Sequence, residues 1–285
     1  MNKHVSFELF LFGDEKETAI NDVEFIVDRI ILFPQIRPHD LEKAEMISDK
    51  YCQFPDFRRK LLEKSNKCPV LIYRLFRKGI FVFEEIKPLL MNKGTFILSY
   101  YFRKEIHCFS KFIENKEKPD DFDESFFEND NEIDQMIEYG FISTSIEYCL
   151  KYDAIDDFKT IDISDQEAEW SPFEWSIEPK YLDLLSFSGF FGSIKCFKHL
   201  LMKGYEINEK VQSMVICSGC FDLFHLCQPK NVFTTENIIK ATEFCHLSLI
   251  DFMIESGVEI NSVDEFVHIV CLKILLFMRP LFMAI

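Results

Sequence analysis

The sequence predicts an all-α protein, a solenoid of antiparallel helix pairs. Residues 194–208 and 247–261 share one pattern: an amphipathic helix, a glycine, and then the tripeptide Glu-Ile-Asn. Apolar residues recur in both at helical spacing, and a glycine directly after a helix is typical of a left-handed cap. The chain of 285 residues has 32 phenylalanines but only 9 glycines, which favours a sizeable core with short loops. This repetition is typical of stacked repeat units.

A further copy lies between these two segments. Residues 221–227 place apolar side chains at the apolar positions of the first copy, so successive copies begin at Ile194, Phe221 and Leu247, in nearly equal steps. Small residues lie in the predicted helix before a copy: Ser188-Gly189 before the first copy and Ala241-Thr242 before the third. Small side chains allow two helices to approach closely, so we expect tight packing at these positions.

Helical periodicity also covers the rest of the chain. We expect a helix over residues 14–32, ended by Pro34 and Pro38. Further helices are expected at 41–51, 57–62, 70–76, 83–91, 133–139, 145–152 and 155–161, with 95–113 as one long helix or a broken pair. The predicted organisation is a helical N-terminal region (1–65), degenerate helical pairs (66–161) with an acidic loop at 114–130, a Trp/Pro loop (162–180), and repeats (181–285) of which the last is incomplete.

Charge and cysteine usage limit the functional classes. The net charge of −16 argues against binding to a phosphate backbone, which requires stripes of lysine and arginine. The acidic residues between 120 and 134 fit a solvated loop, and the alternative is a docking surface for a basic partner. The N-terminus lacks the pattern of a signal peptide, so we expect the ten cysteines to be reduced thiols of a cytoplasmic protein.

Two features favour other functions. Cys217 and Cys220 form a CxxC motif near His225 and His246, but the repeat pattern puts these residues in different units. A zinc site needs four converging ligands, so we expect buried thiols and no metal or redox centre. No dinucleotide, P-loop, HExxH or GxSxG motif is present, so we expect no enzyme, catalytic residue or cofactor.

The second feature is the final segment, residues 266–285, which is apolar and long enough for a membrane span. His268, Lys273 and Arg279 interrupt it, and charged residues in mid-helix are costly in lipid. We therefore expect an unfinished repeat, and a membrane-anchored protein is the second hypothesis for the function.

The repeat residues resemble a known family. The pattern formed by Leu185, Ser188-Gly189, Gly192, Leu200-Leu201, Gly204 and Asn208 is similar to the ankyrin repeat, T-P-L-H-x-A-A followed by G-H, V-x-L-L-L, G-A and N. Asp183-Leu184 replaces the Thr-Pro pair, and the steps are shorter than the ankyrin 33, which puts the β-hairpin finger in doubt and leaves the helix pair. Residues 267–271 and 279–284 are also similar to parts of this motif. The sequence segments 66–74, 171–176 and 191–200 resemble those of the large, divergent ankyrin-repeat families of parasitic protists.

The resemblance implies an ankyrin-like fold in the C-terminal third and a function in protein–protein interaction. We expect a non-enzymatic scaffold or adaptor whose partner is another protein, with no nucleic acid and no small-molecule substrate. The predicted binding surface lies at the loop tips after the repeat helices and comprises Tyr205, Glu206, Val258 and Glu259.

Overall fold

The protein is mostly helical, as the sequence predicts. The computed structural model describes residues 23–36, 41–119, 122, 129–164, 166–174, 181–227, 234–244 and 246–258. Within these ranges the chain forms sixteen α-helices, a short 3-10 helix and one two-stranded sheet. It divides into two compact units. Of the described residues, the N-terminal unit contains 23–140 and 171–174, and the C-terminal unit contains 141–170 and 181–258.

The N-terminal unit consists of eight described helices. They are α1 (Val23–Ile36), α2 (Leu41–Tyr51), α3 (Pro55–Glu63), α4 (Pro69–Arg77), α5 (Phe83–Leu90), α6 (Phe96–Tyr101), α7 (Phe109–Ile113) and α8 (Asp130–Tyr139), with a 3-10 helix at Ser65–Lys67. Helix α3 packs on α1 and on α5, while α4 packs on α2 and on α6. Alternate helices therefore form two rows within this unit.

Aromatic residues fill the core of the N-terminal unit. Phe102 is completely buried, and its ring lies 5.2 Å from that of Phe76 and 5.7 Å from that of Tyr73. Arg58 of α3 donates two hydrogen bonds, of 2.7 and 2.6 Å, to the carboxylate of Glu85 in α5. This bidentate pair fixes the two helices in one orientation as well as adding energy.

Helix α1 extends beyond its expected end, and the 95–113 stretch takes one of its two expected forms. Helix α1 runs through Pro34 to Ile36, so Pro34 does not end it. Proline has a helical φ, but inside a helix it removes one backbone hydrogen bond and crowds the carbonyl four residues before it. The 95–113 stretch is a broken pair, α6 and α7, and Cys108 precedes α7 with a left-handed φ of 55°. The N-terminal part of the predicted 14–32 helix lies outside the described residues, as do residues 120–121 and 123–128 of the acidic loop.

The C-terminal unit is a succession of short helices with one small sheet. Its elements are α9 (Ile146–Tyr152), α10 (Ile155–Phe158), β1 (Glu167–Glu169), β2 (Tyr181–Asp183), α11 (Leu184–Phe191), α12 (Ile194–Met202), α13 (Glu209–Ser218), α14 (Phe221–Cys227), α15 (Thr235–Glu243) and α16 (Leu247–Glu255). Helices α12, α14 and α16 begin at the first residue of each of the three sequence copies.

The first helices of successive pairs pack directly on one another. Helix α11 contacts α9 and α13, and α13 contacts α15. The contact between α11 and α13 is close because Gly189 has no side chain: a Cβ atom built there would lie 3.0 Å from Cγ2 of Val215. Phe197 and Phe224 of the second helices are fully buried.

Strand β1 lies in the segment expected to be a Trp/Pro loop, 162–180, and strand β2 begins directly after it, in the segment expected to contain only repeat helices. Strand β1 pairs antiparallel with β2, with Ala168 opposite Leu182. Trp170 follows β1 and packs against α11, with its ring 4.9 Å from that of Phe187 and 5.2 Å from that of Phe190. This sheet is a small departure from an all-α fold, and no strand forms in the 203–208 connection between α12 and α13.

Glycines in the left-handed conformation follow helices α12 and α16. Gly204 and Gly257, the predicted stops, have φ of 96° and 84°. The next amide in each case bonds back to the helix, Tyr205 N–H to the Leu200 carbonyl at 3.2 Å and Val258 N–H to the Met253 carbonyl at 3.2 Å. These are the bonds of a Schellman motif, so the two predicted caps are confirmed.

Candidate functional site

The exposed faces of helices α13 and α15 enclose a polar cleft of about 480 Å³. This volume lies within the usual range of about 300 to 1,000 Å³ for ligand sites. The residues that line the cleft, which we call the α13–α15 cleft, are Glu209, Gln212, Ser213, Thr234, Glu236, Asn237, Ile239, Lys240 and Glu243. Two successive first helices of the repeat therefore contribute one wall each.

The amphipathic pattern of α15 explains why polar groups line this wall. Thr235, Ile238 and Ala241 are buried, whereas Glu236 and Glu243 are exposed on the other side of the helix. A spacing of seven residues returns to the same face of a helix after about two turns. The two carboxylates therefore lie on the same wall of the cleft, two turns apart.

Caps hold the N-termini of both wall helices. The side chain of Asn208 accepts a hydrogen bond of 2.9 Å from the Val211 amide at the start of α13. The Asn237 side chain accepts one of 2.8 Å from the Thr234 amide at the start of α15. Each bond satisfies an amide in a capping arrangement, so the first turns that carry Glu209 and Glu236 are fixed.

The cleft is negatively charged. Three carboxylates, Glu209, Glu236 and Glu243, line it together with a single ammonium group, that of Lys240. Lys240 forms an ion pair of 3.1 Å with Glu243, in which both groups are partly exposed. Glu209 and Glu236 form no ion pair within the described part of the chain. The cleft can therefore attract a cationic group from outside.

Gln212 is the unusual residue of the cleft. It lies on the central part of the α13 wall and is only 3% exposed. Its Nε2 atom is buried and has no hydrogen-bond partner among the described residues. Leaving such a donor unsatisfied costs about 1–3 kcal/mol, and native proteins contain few of them. An acceptor that enters the cleft could satisfy this donor once the Gln212 side chain rotates.

The binding residues expected from the sequence lie elsewhere, after α12 and α16. Tyr205 is half-buried and its hydroxyl donates to the Ile163 carbonyl at 3.3 Å, while Glu206 is exposed. Val258 is half-buried, and Glu259 lies outside the described residues. The sequence reading missed the α13–α15 cleft, although the carboxylates in the first turns of two successive first helices were a visible signal.

The cysteines of the CxxC motif are embedded in the fold. Burial raises the pKa of the Cys217 thiol to about 12 and also raises the pKa of the half-buried Cys220. The Nε2 atom of His246 lies 2.7 Å from the carbonyl oxygen of Cys217, so this ring faces a backbone group. In the described ranges no group of three or more His, Cys, Asp or Glu residues could hold a metal ion.

The apolar segment 266–285 lies outside the described residues. Among the helices that are described, none has the length and apolar character that crossing a bilayer requires.

Comparison with known proteins adds no relative. The chain matches no family model, no curated protein and no solved structure.

Proposed function

We propose that the protein is an adaptor that binds another protein, and that the C-terminal unit is a stacked array of ankyrin-like helix pairs. The observation that carries this proposal is the α13–α15 cleft, where the exposed faces of two successive first helices present charged and hydrogen-bonding groups. Repeat arrays of this kind bind partners along an extended surface formed by neighbouring repeats.

The array is supported by contacts that recur between pairs. Ser193, directly before α12, donates its hydroxyl to the Leu150 carbonyl near the end of α9. His246, directly before α16, faces the Cys217 carbonyl near the end of α13 in the same way. Ser193 and His246 occupy equivalent positions, because each directly precedes the first residue of a sequence copy. In both places the start of the second helix of one pair contacts the end of the first helix of the preceding pair.

The resemblance to ankyrin repeats and the cleft support the same kind of function. The loop tips at Tyr205, Glu206, Val258 and Glu259 stay a predicted part of the binding surface, and Glu206 is the exposed one among those described. The proposed contact region then consists of the cleft as its centre with these tips as additional contacts.

Photo-crosslinking from the cleft tests this proposal. The full chain carries a photo-crosslinking amino acid in place of Ser213, which lines the cleft, and a second preparation carries it in place of Glu255, an exposed residue of α16. From the cleft position we expect crosslinks to a single protein in stoichiometric amount. Adding Glu209→Gln and Glu236→Gln should reduce the yield of these crosslinks at least tenfold. Identical crosslinks from both positions, or none from the cleft, would contradict the proposed function.

A further inference from the structure

The lining of the α13–α15 cleft combines two chemical demands. The carboxylates of Glu209 and Glu236 are exposed and make no ion pair within the described residues, so they favour a cationic group. The Nε2 atom of Gln212 is a buried donor that lacks an acceptor among the described residues. A ligand that satisfies both must carry a positive charge and a hydrogen-bond acceptor.

A polypeptide backbone with a basic side chain meets both demands. Each peptide unit offers a carbonyl oxygen, which is an acceptor, and arginine or lysine provides the charge. A polyamine meets only the first demand, because its protonated nitrogens are donors. A nucleic acid fails on charge, because its phosphates would face the carboxylates of the cleft.

The buried position of Gln212 limits which acceptors can reach its Nε2 atom. Because its nitrogen is almost inaccessible, a carbonyl can reach it only after the side chain rotates, and the terminal amide torsion of glutamine has broad, shallow minima. A backbone carbonyl held close to the α13 wall is well suited to this bond. The basic side chain can then extend toward the first turns of α13 and α15.

We propose that the α13–α15 cleft binds an extended segment of a partner protein, with an arginine or lysine side chain at Glu209 and Glu236 and a backbone carbonyl at Nε2 of Gln212. This proposal rests on the proposed protein-binding function and specifies its ligand. Lys240, already paired with Glu243, limits the cationic site to the ends of the two helices where Glu209 and Glu236 lie.

Titration of the full chain with short probes, followed by NMR, tests the ligand class. The probes are a capped pentapeptide Gly-Ser-Arg-Ser-Gly, the same peptide with citrulline in place of arginine, and spermidine. Citrulline keeps the shape of arginine and removes its charge. We expect the arginine peptide to shift the side-chain amide signals of Gln212 and to bind at least tenfold more tightly than the citrulline peptide, which corresponds to about 1.4 kcal/mol. Spermidine should leave those signals unshifted.

Two variants separate binding from folding. Gln212→Met keeps the size of the side chain and removes the buried donor. It should raise the urea midpoint of unfolding of the free protein and lower the affinity for the arginine peptide about tenfold. Glu209→Gln combined with Glu236→Gln should remove the preference for arginine over citrulline. Glu255→Gln, exposed on α16, is the control and should change neither quantity.

The possible failures are distinguishable. Equal affinity for the arginine and citrulline peptides would overturn the cationic ligand and leave the protein-binding function. Stronger binding of spermidine than of the arginine peptide would also overturn it, in favour of a small-amine site. If Gln212→Met leaves the peptide affinity unchanged, the backbone contact is wrong. If no peptide shifts any cleft signal while the crosslinks from Ser213 persist, only the ligand assignment fails; if both are absent, the proposed function fails as well.

Discussion

Asp153 shows how a single side chain connects two helix pairs. It ends α9 in the left-handed conformation, with φ of 53°. Its Oδ1 atom accepts hydrogen bonds of 2.9 Å from the amides of Lys195 and Cys196 at the start of α12. Ser193, the capping position of α12 itself, makes no side-chain cap. Asp153 therefore supplies the cap from the preceding pair and satisfies amides that would otherwise lack partners.

Replacing Asp153 should destabilise the C-terminal unit. Asp153→Ala removes the cap and leaves a β-carbon in a left-handed position, and we expect the free energy of unfolding to fall by about 1–3 kcal/mol. Asp153→Asn keeps an oxygen acceptor and tolerates the left-handed conformation, so it should cost less than about 1 kcal/mol. Urea denaturation followed by circular dichroism measures both. Equal losses for alanine and asparagine would show that the cap contributes nothing.

The buried cysteines should be chemically inert in the folded protein. Burial raises the pKa of Cys52, Cys68, Cys196, Cys217 and Cys227 to about 12 in each case. The thiolate is the reactive form, so these residues should react very slowly with iodoacetamide at pH 8. Cys108 is exposed and should be modified before these five buried cysteines. Peptide mapping after brief alkylation measures this, with the urea-denatured protein as the control that labels every cysteine.

The same pKa values determine how stability depends on pH. An unfolded cysteine loses its proton above about pH 8.5, whereas the buried thiols keep theirs until about pH 12. The unfolded state then binds fewer protons than the native state, so this contribution to stability falls as the pH rises through that interval. Rapid alkylation of Cys217 or Cys227 in the native protein at pH 8 would contradict the buried positions.

At the level of helices, some ends were predictable from the sequence and others were not. Helix α2 has the predicted bounds, 41–51. The spacing of its apolar residues and the residues that flank it in the sequence indicate the same two ends. The glycine stops were visible because only glycine readily adopts positive φ. Asp153 was not identified as a stop, because an aspartate in the left-handed region is uncommon and depends on the amides that it caps. The short strands β1 and β2 were missed because three-residue strands show no periodicity.

Two glycines at equivalent helix ends allow a matched comparison. Gly192 after α11 and Gly219 after α13 have nearly the same φ, 69° and 68°. A Cβ atom at Gly219 would lie 2.3 Å from the ring of His246, whereas one at Gly192 would meet its nearest neighbour, Cys220, at 3.4 Å. Alanine therefore costs left-handed strain at both positions and adds a steric clash only at Gly219.

We expect Gly192→Ala to lower the free energy of unfolding by about 1–2 kcal/mol, and Gly219→Ala by about 1–3 kcal/mol more. Thermal and urea denaturation of the two variants measure the difference. Equal losses would mean that the His246 ring does not pack over the end of α13, and the recurring contact between pairs would then be absent at this site.

The candidate cleft could not be derived from the sequence in the way the helices could. Its position depends on which faces of α13 and α15 remain exposed after packing, and this is decided by partners distant in sequence. Gln212 is the clearest example. A glutamine on an otherwise apolar helix face is a visible anomaly, but only the packed structure shows that its nitrogen is buried without an acceptor among the described residues.

For the whole molecule, charge and repetition support one interpretation. The net charge of −16 accelerates association with a basic partner at low salt and favours the ligand proposed for the cleft. The repeat predicted from matching segments corresponds to helices that begin where each sequence copy begins. The cleft depends on the first helices of successive pairs packing directly on one another, because that row of helices forms it.

A double-mutant cycle at Gly189 and Val215 tests this packing, because the two residues meet where α11 packs on α13. Against the native Val215, we predict that Gly189→Ala lowers the free energy of unfolding by about 1 kcal/mol through crowding. In a Val215→Ala background the space next to residue 189 is open. Gly189→Ala should then raise the free energy of unfolding by up to about 1 kcal/mol, since alanine is a better helix former than glycine. An identical effect of Gly189→Ala in both backgrounds would show that the helices are not in contact and would contradict the stacked array.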